Sequence, residues 1–334
     1  MTAGPIREGA RMRRPAGYLL LGLGVFLIGL APLLRFYVYP TLVKAPLDQD
    51  SQTVSVAEDA TFLAIAALEV REGQTLTATR RVRGDVSAGS DDRAVWDIFV
   101  RVEDAEQALV TASTDRVAFD RKTQEAVNCC DEGLNGAPVK HEGIEYKFPF
   151  GAEKKTYEYF DTTLGEALPM EYEASEELEG LTVYRYVQTI EPAPIAELDV
   201  PGDLVGRSED SVPVQRYYSN TRTVWVEPTS GAIVKGQEEQ FSTLRDDTGE
   251  DVLTVTEATL VFTDETIKEQ ADTAKDARSQ IRMLSILGPL VLLLLGIVLV
   301  AIGVWLLNGR RDDDGGSADM ADRKRQRSPS PASV

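Results

Sequence analysis

Two stretches of the chain lose polar positions altogether. Residues 16–34 and 283–307 run for 19 and 25 positions without a charged side chain, enough for a helix to cross a hydrocarbon core of about 30 Å. Both are expected to be transmembrane helices. A cleaved secretory leader is the alternative for the first, since Arg7, Arg11, Arg13 and Arg14 precede it. Against that alternative, the apolar run is longer than a usual leader core, and the small pair Val43 and Ala45 is followed by Pro46, an unfavourable place for cleavage. Gly22, Gly24 and Gly29 in the first helix and Gly288, Gly296 and Gly303 in the second would let two backbones approach closely.

Between these runs the pattern changes to partial alternation with a period of two, rich in Val, Thr, Tyr and Phe. It predicts strands over residues 74–82, 94–102, 181–190, 217–227, 232–241 and 252–262, with shorter candidates at 53–56, 109–114 and 116–119. Turn residues at 228–231 and 246–249 predict hairpins that make the last three long strands an antiparallel meander. Residues 128–168 are less regular, and the acidic run 171–179 is expected to be a solvated helix or loop, with a cation site as the sharper alternative. Residues 264–282 have high helix propensity and bring Ile267, Ala271, Ala274 and Ile281 near one face; this helix is expected to continue into the second membrane segment.

The fold class that follows is a mainly β (β-rich α+β) exoplasmic domain flanked by two transmembrane α-helices. Its expected divisions are a basic tail at 1–15, a span at 16–34, the β-rich domain at 35–263, a juxtamembrane helix at 264–282, a span at 283–307 and a disordered tail at 308–334. Charge orients the frame. Four Arg precede the first span, and Arg310, Arg311, Arg323, Lys324, Arg325 and Arg327 follow the second. By the positive-inside rule both ends are expected in the cytoplasm and residues 36–282 outside a plasma membrane. That outer segment holds 24 basic against 48 acidic residues, so the chain's whole net charge of -19 originates there. Such an acidic surface does not neutralise phosphates, and no nucleic-acid partner is expected.

Candidate chemistry is sparse. One His (His141) and one pair of adjacent cysteines do not make the three or four ligands of a zinc site, and no metal is expected. His141 beside Glu142 reads as an exposed polar pair. With no discriminating acid pair or phosphate loop, no catalytic residue, no cofactor and no enzymatic activity are expected. Cys129 and Cys130 lie in an oxidising compartment, where a vicinal disulfide, two free thiols or a link to another chain are the alternatives. Residues 146–164 combine rings and cations: Tyr146, Lys147, Phe148, Phe150, Lys154, Lys155, Tyr157 and Tyr159 form either a binding loop for an anionic amphiphile or an aromatic core around the turn at 149–151.

Three passages carry a resemblance: Asn128-Cys129-Cys130, the run YKFPFGAEKKTYEYFD at 146–161, and RTVWVEPTSGAIVKGQEE at 222–239. With them the chain resembles the actinobacterial porin PorA family of envelope proteins, over almost its whole length outside the tails. The resemblance implies two terminal membrane helices around one outer domain and assigns no residue a role. In layout alone the chain is similar to CD36-type receptors, in which such a domain carries a lipid-conducting tunnel. The expected function is therefore binding or transfer of a lipid or amphiphile, with the bilayer and an envelope protein as expected partners. A scaffold for envelope assembly is the alternative. An oligomeric pore stands third, because between residues 15 and 33 and between 288 and 307 Tyr18 is the sole side chain with a hydroxyl, amide or charge.

Overall fold

The computed structural model describes residues 13–65 and 67–308. Arg7, Arg11, the basic positions 310–327 and the tail from 309 onward, with the expectations attached to them, lie outside those residues. The chain divides into two units, Met1–Leu42 with Arg282–Val334, and Val43–Ile281.

The first unit holds helix α1 (Arg13–Leu33), which passes through a π-helical turn at Leu34–Val38 into the short α2 (Tyr39–Leu42). Two further helices occur at the other end of the chain, α3 (Asp264–Arg282) and α4 (Gly288–Asn308). A π-helical turn at Met283–Leu287 joins them, so the helical backbone runs without a break from Asp264 to Asn308. Glycine decides how α1 meets α4. A Cβ on Gly24 would come within 2.7 Å of the Gly296 carbonyl oxygen, and one on Gly303 within 2.9 Å of the Gly17 carbonyl oxygen. The two contacts lie seven residues apart on each helix and in opposite chain directions, which makes α1 and α4 an antiparallel, backbone-close pair. Gly22 and Gly29, expected at this contact, instead face open space. Away from the seam, Leu19, Phe26, Leu290, Leu294 and Val298 are exposed, a surface suited to hydrocarbon rather than water.

The second unit is built on one antiparallel sheet of twelve strands: β1 (Asp50–Ala64), β2 (Glu69–Gly84), β3 (Arg93–Glu103), β4 (Leu109–Asp120), β5 (Gly133–Leu134), β6 (Ala137–Pro138), β7 (Tyr157–Asp161), β8 (Glu166–Leu178), β9 (Leu181–Val200), β10 (Val212–Glu227), β11 (Ala232–Arg245) and β12 (Asp251–Phe262). Their order is β6-β5-β4-β3-β2-β1-β12-β11-β10-β9-β8-β7, so two meanders are joined by the pairing of the first long strand with the last. The expected hairpins at 228–231 and 246–249 connect β10 to β11 and β11 to β12.

Three elements differ from the sequence reading. Residues 109–114 and 116–119 form one strand; the polar Asp115 occupies an inward position of β4, 5% exposed, and interrupts the apolar alternation. The acidic run 171–179 lies mostly in strand β8 rather than in a helix or loop. Glu171, Glu173 and Glu177 point outward while Tyr172 and Ala174 alternate inward, and Arg185 of β9 pairs with Glu173 at 2.9 Å and Glu176 at 2.7 Å, so opposite charge across the ladder offsets the acidic composition. Strand β9 also continues past Ile190 through Pro192 and Pro194, which fall where its register with β10 shifts, a place where a missing N–H is tolerated.

The two ends of the sheet are tied together. The Val127 N–H donates to Ala118 O (2.9 Å), Ala126 to Gly143 O (2.9 Å), Ile144 to Glu158 O (2.8 Å) and Phe160 to Ile144 O (2.9 Å). Residues 126–144 thereby bridge β4 to β7. Gly143, at φ +66°, is needed there: a side chain would run into the Glu158 carbonyl oxygen. One apolar core, with Phe148, Tyr159, Met170, Tyr186 and Val226, fills the β7–β10 side. Another, around Trp96, Ile98, Val117 and Phe119, fills the β2–β4 side. Helix α3 lays Ile267, Ala271 and Ala274 against Leu181, Val183 and Val234, as its apolar spacing predicts.

Candidate functional site

Within the strand unit lies a cavity of about 540 Å³, inside the range of small-molecule sites. Period-two strands put a different chemistry on each part of its wall. Phe62 of β1, Leu76 of β2, Val100 and Val102 of β3, and Leu260 and Phe262 of β12 give the wall its apolar stretches. Its polar lining is Arg80, Asp115, Glu145, Tyr146, Tyr159, Arg216, Tyr218, Arg222 and Glu238, with Arg80 directly opposite Val100 and Glu238 directly opposite Leu260 in the ladders.

Arg222 organises the polar lining. Its guanidinium reaches Asp161 at 2.9 Å, Glu238 at 3.3 Å and the Gln188 side-chain oxygen at 2.7 Å, and it lies 5.5 Å from the centre of the Tyr159 ring. Tyr218 donates to Asp161 at 3.4 Å, and Asn220 and Gln240 donate to Glu238 at 3.2 and 2.8 Å. Arg80 approaches Glu238 at 3.7 Å. Burial works against the Glu238 charge, yet Arg222 and Arg80 hold its carboxyl down at about 2. Burial likewise opposes the Arg222 charge, and Glu238 and Asp161 raise it well above its ordinary value. Arg216 differs: it donates to Ser242 Oγ at 2.9 Å, makes no ion pair among the described residues, and is lowered by burial.

A second polar group closes the β4 end of the cavity. His141 is 1% exposed, with Nε2 3.0 Å from Asp115 Oδ1 and Nδ1 3.1 Å from Glu132 Oε2. Burial disfavours its charge, but Asp115 and Glu132 outweigh that and raise it. Tyr146 donates to Asp115 Oδ2 at 2.6 Å, and Glu145 is pushed well above the carboxylate range by burial and by Asp115. The expectation of an exposed His141–Glu142 pair is corrected here. Glu142 is exposed, whereas the imidazole is enclosed by two carboxylates and the Phe160 ring, 4.6 Å away between centres. Counting only His and Cys also missed that buried carboxylates supply donors beside it: ligand atoms of Asp115, His141 and Glu145 lie within 4.8 Å of one another.

The eight expected binding residues separate. Tyr146 and Tyr159 reach the cavity wall. Phe148 is fully buried and packs with Tyr157 and Tyr186 at centre distances of 5.2 and 4.6 Å. Lys147 folds back onto the Ser230 carbonyl and over Phe150, and burial lowers its ammonium to about 7. Lys154 stands over Tyr172 and Tyr184, and Lys155 pairs with Glu153 at 2.9 Å. Of the eight, Tyr146 and Tyr159 line this cavity, while Phe148 and Tyr157 belong to the aromatic core and Lys154 and Lys155 are exposed. Cys129 and Cys130 are joined as a vicinal disulfide, with Cys130 at φ +68°. Arg80, Arg216, Arg222 and Glu238 carried no sequence signal beyond their place on inward positions of strands.

The passages with a known likeness fall on these elements: the bridge at Cys129–Cys130, the segment around Tyr146–Asp161, and the β10–β11 hairpin that carries Arg222 and Glu238. A family model described as Porin PorA matches residues 16–305. The chain belongs to the porin PorA family. Porin PorA of Corynebacterium amycolatum is 28% identical, covering 87% of this chain and 98% of the relative. Porin PorA of Corynebacterium resistens is 27% identical over 61% of this chain and 68% of the relative. With this porin PorA family membership and two apolar helices long enough to cross a bilayer, the chain is a membrane-associated protein.

Proposed function

We propose that the chain is a non-enzymatic envelope protein whose strand unit takes a lipid or other amphiphile into the cavity. The observation that supports this reading is a cavity wall that combines apolar side chains with buried charged and phenolic groups. An apolar chain would lie along Phe62, Leu76 and Val100, and an anionic head group would meet Arg216, a half-buried cation with no carboxylate partner among the described residues. In this reading the antiparallel α1–α4 pair spans the plasma membrane, residues 36–282 lie outside, and both ends are cytoplasmic.

The test is native mass spectrometry of the full chain in mild detergent with analysis of released small molecules. A defined amphiphile at near-unit stoichiometry is expected, with retention reduced in Arg216→Gln and abolished in Val100→Trp, which fills the apolar stretch. Wild-type protein that carries nothing and takes up nothing from mixed lipid vesicles would overturn it. The name of the relatives, porin, favours a second reading, an oligomeric pore. Discrete conductance steps in planar bilayers from protein without bound amphiphile would move the function there.

A further inference from the structure

The His141 cluster holds more negative charge than its hydrogen bonds account for. Three buried carboxylates, Asp115, Glu132 and Glu145, surround one imidazole, each residue less than a tenth exposed. Two of them have fixed tasks. Glu132 Oε1 accepts from the backbone N–H groups of Ala118 and Cys129 at 3.1 and 3.3 Å, which holds Oε2 against His141 Nδ1. Asp115 Oδ2 accepts from the Tyr146 hydroxyl. With the ring proton on Nδ1 toward Glu132, three lone-pair atoms face one another: His141 Nε2, Asp115 Oδ1 at 3.0 Å and Glu145 Oε2 at 3.9 Å. Glu145 Oε2 is buried and has no hydrogen-bond partner among the described residues. Acceptors that converge without a donor repel one another, and a buried, unpaired carboxylate oxygen is costly.

We propose that Asp115, His141 and Glu145 form a binding site for a divalent cation of the zinc class. One imidazole nitrogen and two carboxylate oxygens suit Zn²⁺ and its neighbours, whereas Ca²⁺ and Mg²⁺ favour all-oxygen shells. Glu132 acts behind the ligand as a positioning residue: it takes the Nδ1–H and so presents Nε2 as the free lone pair, the arrangement commonly found behind metal-bound histidine. Asp115 comes from β4, His141 from the segment that bridges β4 to β7, and Glu145 directly follows that segment, so the ion would pin the closure of the sheet. The inference does not rest on the amphiphile reading, and its readouts need no lipid.

The experiment uses full-length protein in detergent, stripped with chelator and then titrated with Zn²⁺ by calorimetry, with Co²⁺ absorption as a report on nitrogen ligation. One Zn²⁺ per chain is expected, together with a rise in the melting midpoint. Glu145→Gln keeps the side-chain volume and the Asp115–His141 contact, and should weaken binding by more than about tenfold. Glu132→Gln should weaken it less, while Glu142→Gln, on the exposed neighbour, should leave it unchanged. Absence of saturable Zn²⁺ binding and of any melting shift in the wild type would overturn the site, as would binding that Glu145→Gln leaves intact. His141→Ala serves as a second variant, scored only if its circular dichroism matches wild type; undiminished Co²⁺ absorption in it counts against the site.

Discussion

Glu238 concentrates the residue-scale energetics of the cavity. It is faced by Arg222 and Asn220 from β10, Arg80 from β2 and Gln240 from its own strand, with Asp161, Tyr159 and Tyr218 gathered around Arg222. Its folded-state carboxyl titrates near 2, below the ordinary 4.5. A lowered carboxyl contributes stability that is complete above the ordinary value and disappears as pH falls from about 4.5 toward about 2. At roughly 1.4 kcal/mol per pKa unit the pair is worth on the order of 3 kcal/mol. Glu238→Gln should therefore lower the melting midpoint at pH 7 and flatten its decline between pH 4.5 and 3, measured by tryptophan fluorescence of the full chain in detergent. Equal slopes for variant and wild type would remove Glu238 from the account. Arg222→Met should cost more at pH 7, about 3–5 kcal/mol, because it strands Asp161, which is fully buried.

Elements were legible in the sequence where one physical signal acted alone. The two long apolar helices follow from uninterrupted apolarity, α3 from its apolar face, and the β10–β12 meander from alternation with glycine-bearing turns. Legibility failed where a side chain served a distant partner. Asp115 broke the pattern of β4 because it points at His141, and the glutamates of β8 suggested a helix because Arg185, which neutralises them, lies across the ladder. The polar wall was illegible for the same reason: Arg80, Asp161, Gln188, Arg222 and Glu238 meet only once five strands have paired. At the level of helix packing, the α1–α4 seam makes its own prediction. Gly24→Leu would force a side chain into the Gly296 carbonyl and Val300, whereas Gly22→Leu faces open space. Gly24→Leu should lower the melting midpoint of the full chain in detergent, and Gly22→Leu should leave it; equal midpoints in both would argue against this packing.

For the whole molecule, the antiparallel seam puts the start of α1 and the end of α4 on the same side. Reporters that act only in the cytoplasm, fused to either end of the chain, should both be active, and a site-specific protease added to intact spheroplasts should cut only within residues 36–282. Activity at one end alone would refute the two-pass arrangement. The acidic excess of the segment between the two apolar helices adds colloidal repulsion without setting the fold.

The pairing of β1 with β12 has a consequence in time. Ser55 opposes Phe262 and Phe62 opposes Thr256, so the first long strand meets its second neighbour only after nearly the entire segment between the helices has been synthesised. Until then β1 has β2 on one edge and an open ladder on the other. Long-range pairing of this kind slows folding, and an unpaired edge invites association with other chains. The half-made domain is therefore the stage at which the nascent chain is most exposed to aggregation and proteolysis, and the arrival of the final strand ends that exposure.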